Sequence, residues 1–196
     1  MKKIYPLVIL LVIIVVALAA YKYRGRELTS EPNNPIYNYM KLESSAFKNN
    51  ESIPSKYTCD ATSPPNPPLA ISNVPAGIKS LALTMDDPDV PKALRPDGVF
   101  DHWVLFNISP DIVTIPEGAK IGTGGNNSTG KPGYVGPCPP SQYEPSEHRY
   151  FFRIYALDTE LNLKEGASKS EVLTAMNGHI LAQAELVGRY RRVQIE

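Results

Sequence analysis

The 196 residues specify a mostly antiparallel β domain with one or two helices late in the chain. All but one of the 19 prolines lie between Pro32 and Pro145. Proline cannot donate to a ladder or sit inside a helix, so that part of the chain must be loops and short strands. Three stretches alternate with period 2, namely Ser80–Met85, His102–Ile108 and Arg149–Ala156. One helix start is well marked, where Ser168 and Glu171 form an S-x-x-E capping box.

Taken in order, residues 27–45 are polar, contain Pro32 and Pro35, and read as a linker into a domain over residues 46–196. The Arg149–Ala156 stretch carries Tyr150, Phe151, Phe152, Ile154 and Tyr155 and is apolar on both faces, as a central strand requires. Val172, Leu173 and Met176 form the apolar face of the late helix, and Asn177-Gly178 stops it. His179–Val187 then alternates again, with Ile180, Ala182, Ala184 and Leu186 on one face. There is no internal repeat. Gly122–Gly130 lacks the strand-before, helix-after context and the GK[ST] ending of a phosphate loop, and reads as a flexible loop.

The net charge of zero hides a split. Residues 1–26 hold five basic residues (Lys2, Lys3, Lys22, Arg24, Arg26) and no acidic one. The rest of the chain therefore has 15 basic against 20 acidic residues. A net-acidic body lacks the field that a phosphate backbone requires, which argues against nucleic acid as a partner. The apolar run Ile4–Ala20 behind Lys2-Lys3 fits two readings. A secretory signal peptide would be cleaved after the small residues of Ala17-Leu18-Ala19. An uncleaved membrane anchor needs ~17–25 apolar residues, which Tyr5–Tyr21 just meets with an aromatic residue at each end. The anchor is the favoured reading. Either places residues 27–196 on the extracytoplasmic side, membrane-anchored or secreted. In such a compartment Cys59 and Cys138, the only cysteines, can form one disulfide. The alternative is two small buried thiols that never meet.

Three segments hold candidate chemistry. Asp86-Asp87-Pro88-Asp89-Val90-Pro91 follows a strand immediately; it reads as an Asp/Pro turn with solvated side chains, or as a rigid loop holding a carboxylate at a strand end. His102 and Trp103 begin an apolar strand, where a histidine is more often a hydrogen-bonded core residue than a site residue. Glu147-His148-Arg149-Tyr150 leads into another strand, behind the glycine- and proline-rich Gly133–Pro140. Two histidines and an aspartate in one cleft are able to bind an anion, hold zinc, or do acid–base work. The absence of H-x-x-x-H and HExxH spacings argues against zinc, and the absence of G-x-S-x-G argues against a serine triad.

Four ordered motifs carry a resemblance. Asp87-Pro88-Asp89-Val90-Pro91 is similar to a D-P-D-x-P signature, and His102–Asn107 to an H-W-V-x-x-N strand. Gly136–Pro140 with His148-Arg149-Tyr150 resembles a G-P-x-P-P…H-R-Y block, and Gly178–Tyr190 resembles the closing strand of prokaryotic members. The chain thus resembles, over about residues 45–192, the phosphatidylethanolamine-binding protein family and its prokaryotic, Raf kinase inhibitor-like branch. The resemblance implies a large antiparallel sheet, a smaller second sheet and one or two peripheral helices. It also implies an anion pocket formed by Asp87, His102, His148 and Tyr150, with Pro139 and Pro140 as its apolar wall. Its ligand would be a phosphate or phosphoryl head group, with no cofactor and no turnover. For some members the resemblance implies protein interaction, such as protease or kinase-pathway inhibition, with Asp60–Pro68 and Ser141–Glu147 as the candidate loops here. A hydrolase using His102 or His148 as base lacks a visible nucleophile beside either. Ser141–Glu147 departs from the family pattern, being longer, without glycine and with two glutamates, and is expected to narrow the pocket mouth or repel anions.

Overall fold

The computed structural model describes residues 39–192. The large sheet holds β3 (Ser80–Asp87), β4 (Phe100–Ile108), β6 (Thr123–Gly125), β7 (Glu147–Leu157) and β8 (Ile180–Arg191), in the order β6-β4-β3-β7-β8. Every pairing in it is antiparallel. The small sheet is β1 (Lys41–Glu43), β2 (Leu69–Ser72) and β5 (Thr114–Ile115). Leu42, Leu69, Ile71 and Ile115 from the small sheet and Leu81, Leu83, Met85, Trp103, Leu105, Phe152 and Ile154 from the large one form the main core. Full burial contributes roughly 1.5–3 kcal/mol for each such large apolar side chain.

The other face of the large sheet is covered by the one α-helix among the described residues, α1 (Lys169–Met176). Val172 and Met176 pack on Ala82, Val104, Phe106, Tyr155 and Leu157. Ser168 Oγ accepts from the Glu171 amide and Glu171 returns the bond, which is the expected capping box. Leu173, read as part of the apolar face, is 39% exposed, so the buried stripe is narrower than the pattern suggested.

Three readings of the sequence are corrected. The linker ends before residue 45, because β1 pairs with β2 and buries Met40 and Leu42 in the core. The Arg149–Ala156 stretch is an interior strand as expected, since β7 pairs with β3 on one side and the edge strand β8 on the other; β3, in the middle of the order, has all eight residues buried. Within Gly122–Gly130, residues 123–125 are strand rather than flexible loop, paired with Phe106–Val104. Glycine is required there, since a Cβ on Gly125 would stand 2.6 Å from Val104 Cγ1 and 2.7 Å from the Ala167 carbonyl. The Asp86–Asp89 side chains are not solvated. Asp86 accepts from Arg153, Asp87 from His148, and Asp89 from Arg149.

Among the described residues no helix is long and apolar enough to cross a membrane. The segment read as anchor or signal peptide lies outside the described residues.

Candidate functional site

Three neighbouring strands bring their ends together. Antiparallel pairing sets the C-terminal end of β3 beside the N-terminal ends of β4 and β7. Asp87, His102 and His148 therefore meet at one edge of the sheet, although up to 61 residues separate them in sequence. They line a cavity of about 360 Å³. Val90, Leu94 and Arg95 from the β3–β4 loop, Phe100, and Val135–Gly136 with Cys138–Pro140 complete its wall. Of the six residues assigned to the pocket from sequence, Asp87, His102, Pro139, Pro140 and His148 line it. Tyr150 does not; it lies behind His102 in an edge-to-face contact with ring centroids 5.2 Å apart.

A β-bulge aims His102. Met85 pairs with Trp103 but Asp86 pairs with Asp101, so His102 is the extra residue on β4. Strict alternation would put His102 on the side of Val104 and Phe106, beneath the helix. The bulge turns it to the opposite side, against Phe100 and Tyr150. His102 Nδ1 donates to the Val135 carbonyl at 2.7 Å, and the Val135 amide donates back to the His102 carbonyl at 3.0 Å. Burial pushes the His102 pKa below its ordinary value, and nearby Asp87, Asp101 and Asp86 offset that only in part.

His148 is fully buried, and its Nδ1 donates to Asp87 Oδ2 at 2.7 Å. Asp87 Oδ1 accepts from the Asp89 amide at 2.8 Å, which closes the turn after β3. Arg149 grips the same turn, donating to both Asp89 oxygens from its guanidinium and to one from its amide. Those bonds hold the Asp89 carboxyl below the usual carboxylate range. Two buried polar atoms have no hydrogen-bond partner in the protein, His148 Nε2 and the Tyr150 hydroxyl. Burial, with the Asp87 charge second, drives the Tyr150 pKa well above that of a free tyrosine.

The opposite wall is the 135–140 loop. Cys59 and Cys138 are joined by a disulfide with Cα atoms 5.3 Å apart. Beside it, Gly136 lies so close to the turn at Ser55–Tyr57 that a Cβ would be 2.8 Å from the Tyr57 carbonyl oxygen. Tyr134 donates to that same carbonyl and meets Trp103 edge-on. None of Ser141–Glu147 lines the cavity. Glu144 accepts from the Ser146 amide and Glu147 from Arg189, so both carboxylates of this segment are engaged outside the cavity wall.

Sequence reasoning missed Arg95 and Phe100. Arg95 is the one Lys or Arg side chain in the wall, paired to Asp97 at 3.3 Å and lying 5.5 Å over the Phe100 ring. Its signal was a cation, with Lys92, in the loop between the two acidic motifs. A larger, more open depression of about 620 Å³ runs beside α1, but there Lys169 donates to Asp101 and no unpartnered buried polar atom is present. Among the described residues no group of His, Cys, Asp or Glu side chains is arranged to hold a metal.

A two-sheet antiparallel fold with a small, largely apolar cavity at one sheet end, into which two histidines and an aspartate converge, is the architecture of a ligand-binding module. The phosphatidylethanolamine-binding protein family model matches residues 43–191, and the chain belongs to that family. A UPF0098 protein of Methanothermobacter thermautotrophicus is 49% identical over 160 residues, covering 78% of this chain and 99% of the relative. One from Chlamydia trachomatis is 46% identical over 154 residues, with the same coverage. Among solved structures, a phosphatidylethanolamine-binding protein homologue of Chlamydia trachomatis superposes with a TM-score of 0.75 at 45% identity, covering 80% of this chain and 99% of its own. E. coli YbcL gives 0.68 at 27% identity, covering 79% and 99%.

Proposed function

We propose that this protein binds a small anionic ligand, a phosphate or phosphoryl head group, in the cavity between Asp87, His102 and His148. The observation that carries this is an orphaned polar atom on a residue that lines the cavity, His148 Nε2. Leaving a buried polar group unsatisfied costs about 1–3 kcal/mol, and a ligand in the cavity that hydrogen-bonds to it would remove that cost. Arg95 supplies a permanent positive charge at the wall, and Pro139, Pro140, Leu94 and Phe100 exclude water from the bound group.

The protein acts by binding rather than turnover. Each cavity histidine is held at Nδ1 by a carbonyl or a carboxylate, and neither is hydrogen-bonded to a hydroxyl or thiol that it would activate. The domain works on the extracytoplasmic side, tethered or released by its N-terminal segment. The Cys59–Cys138 disulfide supports that compartment, because such bonds persist under oxidising conditions.

An NMR titration of the full chain with phosphate, following the histidine rings, tests the reading. Saturable shifts at His102 and His148 are expected, with His179 silent, since His179 pairs with Asp158 at the far end of β7. Absence of shifts at millimolar phosphate would remove the anion assignment and turn attention to protein partners.

A further inference from the structure

Four N-x-S/T sequons occur in the chain, at Asn50, Asn107, Asn126 and Asn127, and none of these residues lines the cavity. Such a tripeptide is the acceptor for N-linked glycosylation in secreted domains. The fold closes three of them. Asn107 donates to the Leu161 carbonyl at 2.9 Å and accepts from the Leu161 amide at 2.7 Å, so both ends of its side-chain amide are used. Asn127 is buried, donates to the Gly133 carbonyl, and accepts from the hydroxyl of Thr129, the third residue of its own sequon. Asn126 is half-buried beside Gly166, and the Ser128 hydroxyl of its sequon accepts from the Asp101 amide at 2.9 Å.

Asn50-Glu51-Ser52 is the open one. Asn50 and Ser52 are exposed, in a turn closed by the Glu51 amide on the Lys48 carbonyl. Among the described residues nothing bonds to the Asn50 side-chain amide or to the Ser52 hydroxyl. The turn requires a φ of 65° at Asn50, which glycine adopts at least as readily, so the backbone does not call for an amide there. The neighbouring strand edge does give a glycan something to cover. β8 is the edge of the large sheet, and residues 49–53 strap only part of it. The Asn50 and Ile53 amides donate to the Val187 and Arg189 carbonyls, while Asn49 Oδ1 and the Glu51 carbonyl accept from the Val187 and Arg189 amides. Backbone groups alternate sides along a strand, so Gln183 and Glu185 face the same way, and among the described residues no strand lies beyond them. The strap runs parallel to β8, which puts Asn50 near its Glu185 end. An uncovered edge is a template for association, and a bulky polar group beside it would block that.

We propose that Asn50 carries an N-linked glycan that shields the open Gln183–Glu185 edge of β8. This rests on the extracytoplasmic reading above and not on the cavity. The donor is an oligosaccharide joined through C1 of its first sugar to a lipid-linked phosphate, and a membrane-bound transferase catalyses the step. Asn50 Nδ2 forms a bond to C1, the bond from C1 to the phosphate oxygen breaks, and the lipid phosphate leaves with that electron pair. The proton lost from the amide passes to a base of the transferase. Nothing is oxidised or reduced.

Mass spectrometry of the full chain purified from its native cells, with free thiols alkylated at lysis, is the test. The peptide holding Asn50 should carry the added mass of an oligosaccharide, and the peptides holding Asn107, Asn126 and Asn127 should not. Ser52→Ala should remove that mass and Ser52→Thr should keep it; both leave Asn50 in place and break no hydrogen bond of the fold. A bare Asn50 in a chain whose Cys59 and Cys138 are disulfide-bonded would overturn the site and leave the compartment standing. A bare Asn50 with both thiols free would overturn the two together. A glycan at Asn107 or Asn127 in its place would overturn the assignment by exposure. In sedimentation, Ser52→Ala should self-associate more strongly than Ser52→Thr, and equal behaviour would overturn the shielding while leaving the modified site.

Discussion

His148 Nδ1 donates to Asp87 Oδ2 at 2.7 Å, with the histidine fully buried and the aspartate 3% exposed. This bond joins β7 to the end of β3 and leaves Nε2 as the only free edge of the ring. Asp87→Ala strands a buried N–H at His148 and frees the Asp89 amide from its acceptor. A loss of about 2–4 kcal/mol in urea unfolding is expected, together with loss of phosphate binding. Unchanged binding would show that the pair is structural only.

Folding stability should depend on pH through His102. Its native pKa lies below the ordinary value of 6.5 because of burial. Below 6.5 the unfolded chain binds a proton that the native state does not, so stability falls as pH falls, by at most about 1.4 kcal/mol per unit. The decline ends at the native pKa. Asp89, held low by Arg149, adds its own loss only below the ordinary aspartate value of 3.8. Denaturation midpoints across the acid range should show the upper slope in the wild type and its absence in His102→Phe.

Arg95 is tied to Asp97 on a half-exposed loop and contributes little to the fold. Arg95→Ala should change unfolding midpoints by less than about 0.5 kcal/mol. Phosphate affinity should drop about three- to tenfold, with a weaker dependence on salt. Binding measured at two ionic strengths checks both.

Gly136 permits the wall loop to lie on the 55–58 backbone. In Gly136→Ala the new Cβ would stand 2.9 Å from Thr58 Cα as well as 2.8 Å from the Tyr57 carbonyl oxygen, and both are main chain that cannot swing aside. A cost of about 1–3 kcal/mol is expected, with displacement of Val135 and hence altered His102 ring signals. Unfolding midpoints and His102 chemical shifts report the two effects.

The Cys59–Cys138 bond closes a loop across 79 residues and anchors the same wall. Replacing both cysteines by serine should lower stability by about 4 kcal/mol in the chain-entropy account. Weaker phosphate binding should accompany it, whereas a purely global role would leave affinity intact in the still-folded fraction.

Long elements were legible in the sequence. β3, β4, β7 and β8 announced themselves through period-2 alternation, and α1 through its capping box, because those signals come from residues close along the chain. The small sheet was expected only through the family resemblance, and its strands were not legible by pattern: β1, β2 and β5 span three, four and two residues, too few to show a period. β6 hid in a glycine-rich run, since the glycines that let it approach Val104 are the residues that usually signal a loop.

The site divides in the same way. Asp87, His102, His148 and the two prolines were nameable from ordered motifs, which are patterns of identity and need no coordinates. Their chemistry was not nameable. The bulge that turns His102 toward Tyr150 depends on how β4 pairs with β3, and a shift of one residue reverses the face. The donor or acceptor character of each ring depends on which oxygen meets its Nδ1, Val135 for one and Asp87 for the other. The same holds for Arg95, which joins the wall only because its loop folds back over Phe100. Local pattern determines strands, caps and candidate side chains. Partners distant in the chain determine register, tautomer and which polar atoms are left for a ligand, because those are properties of pairs that only folding brings into contact.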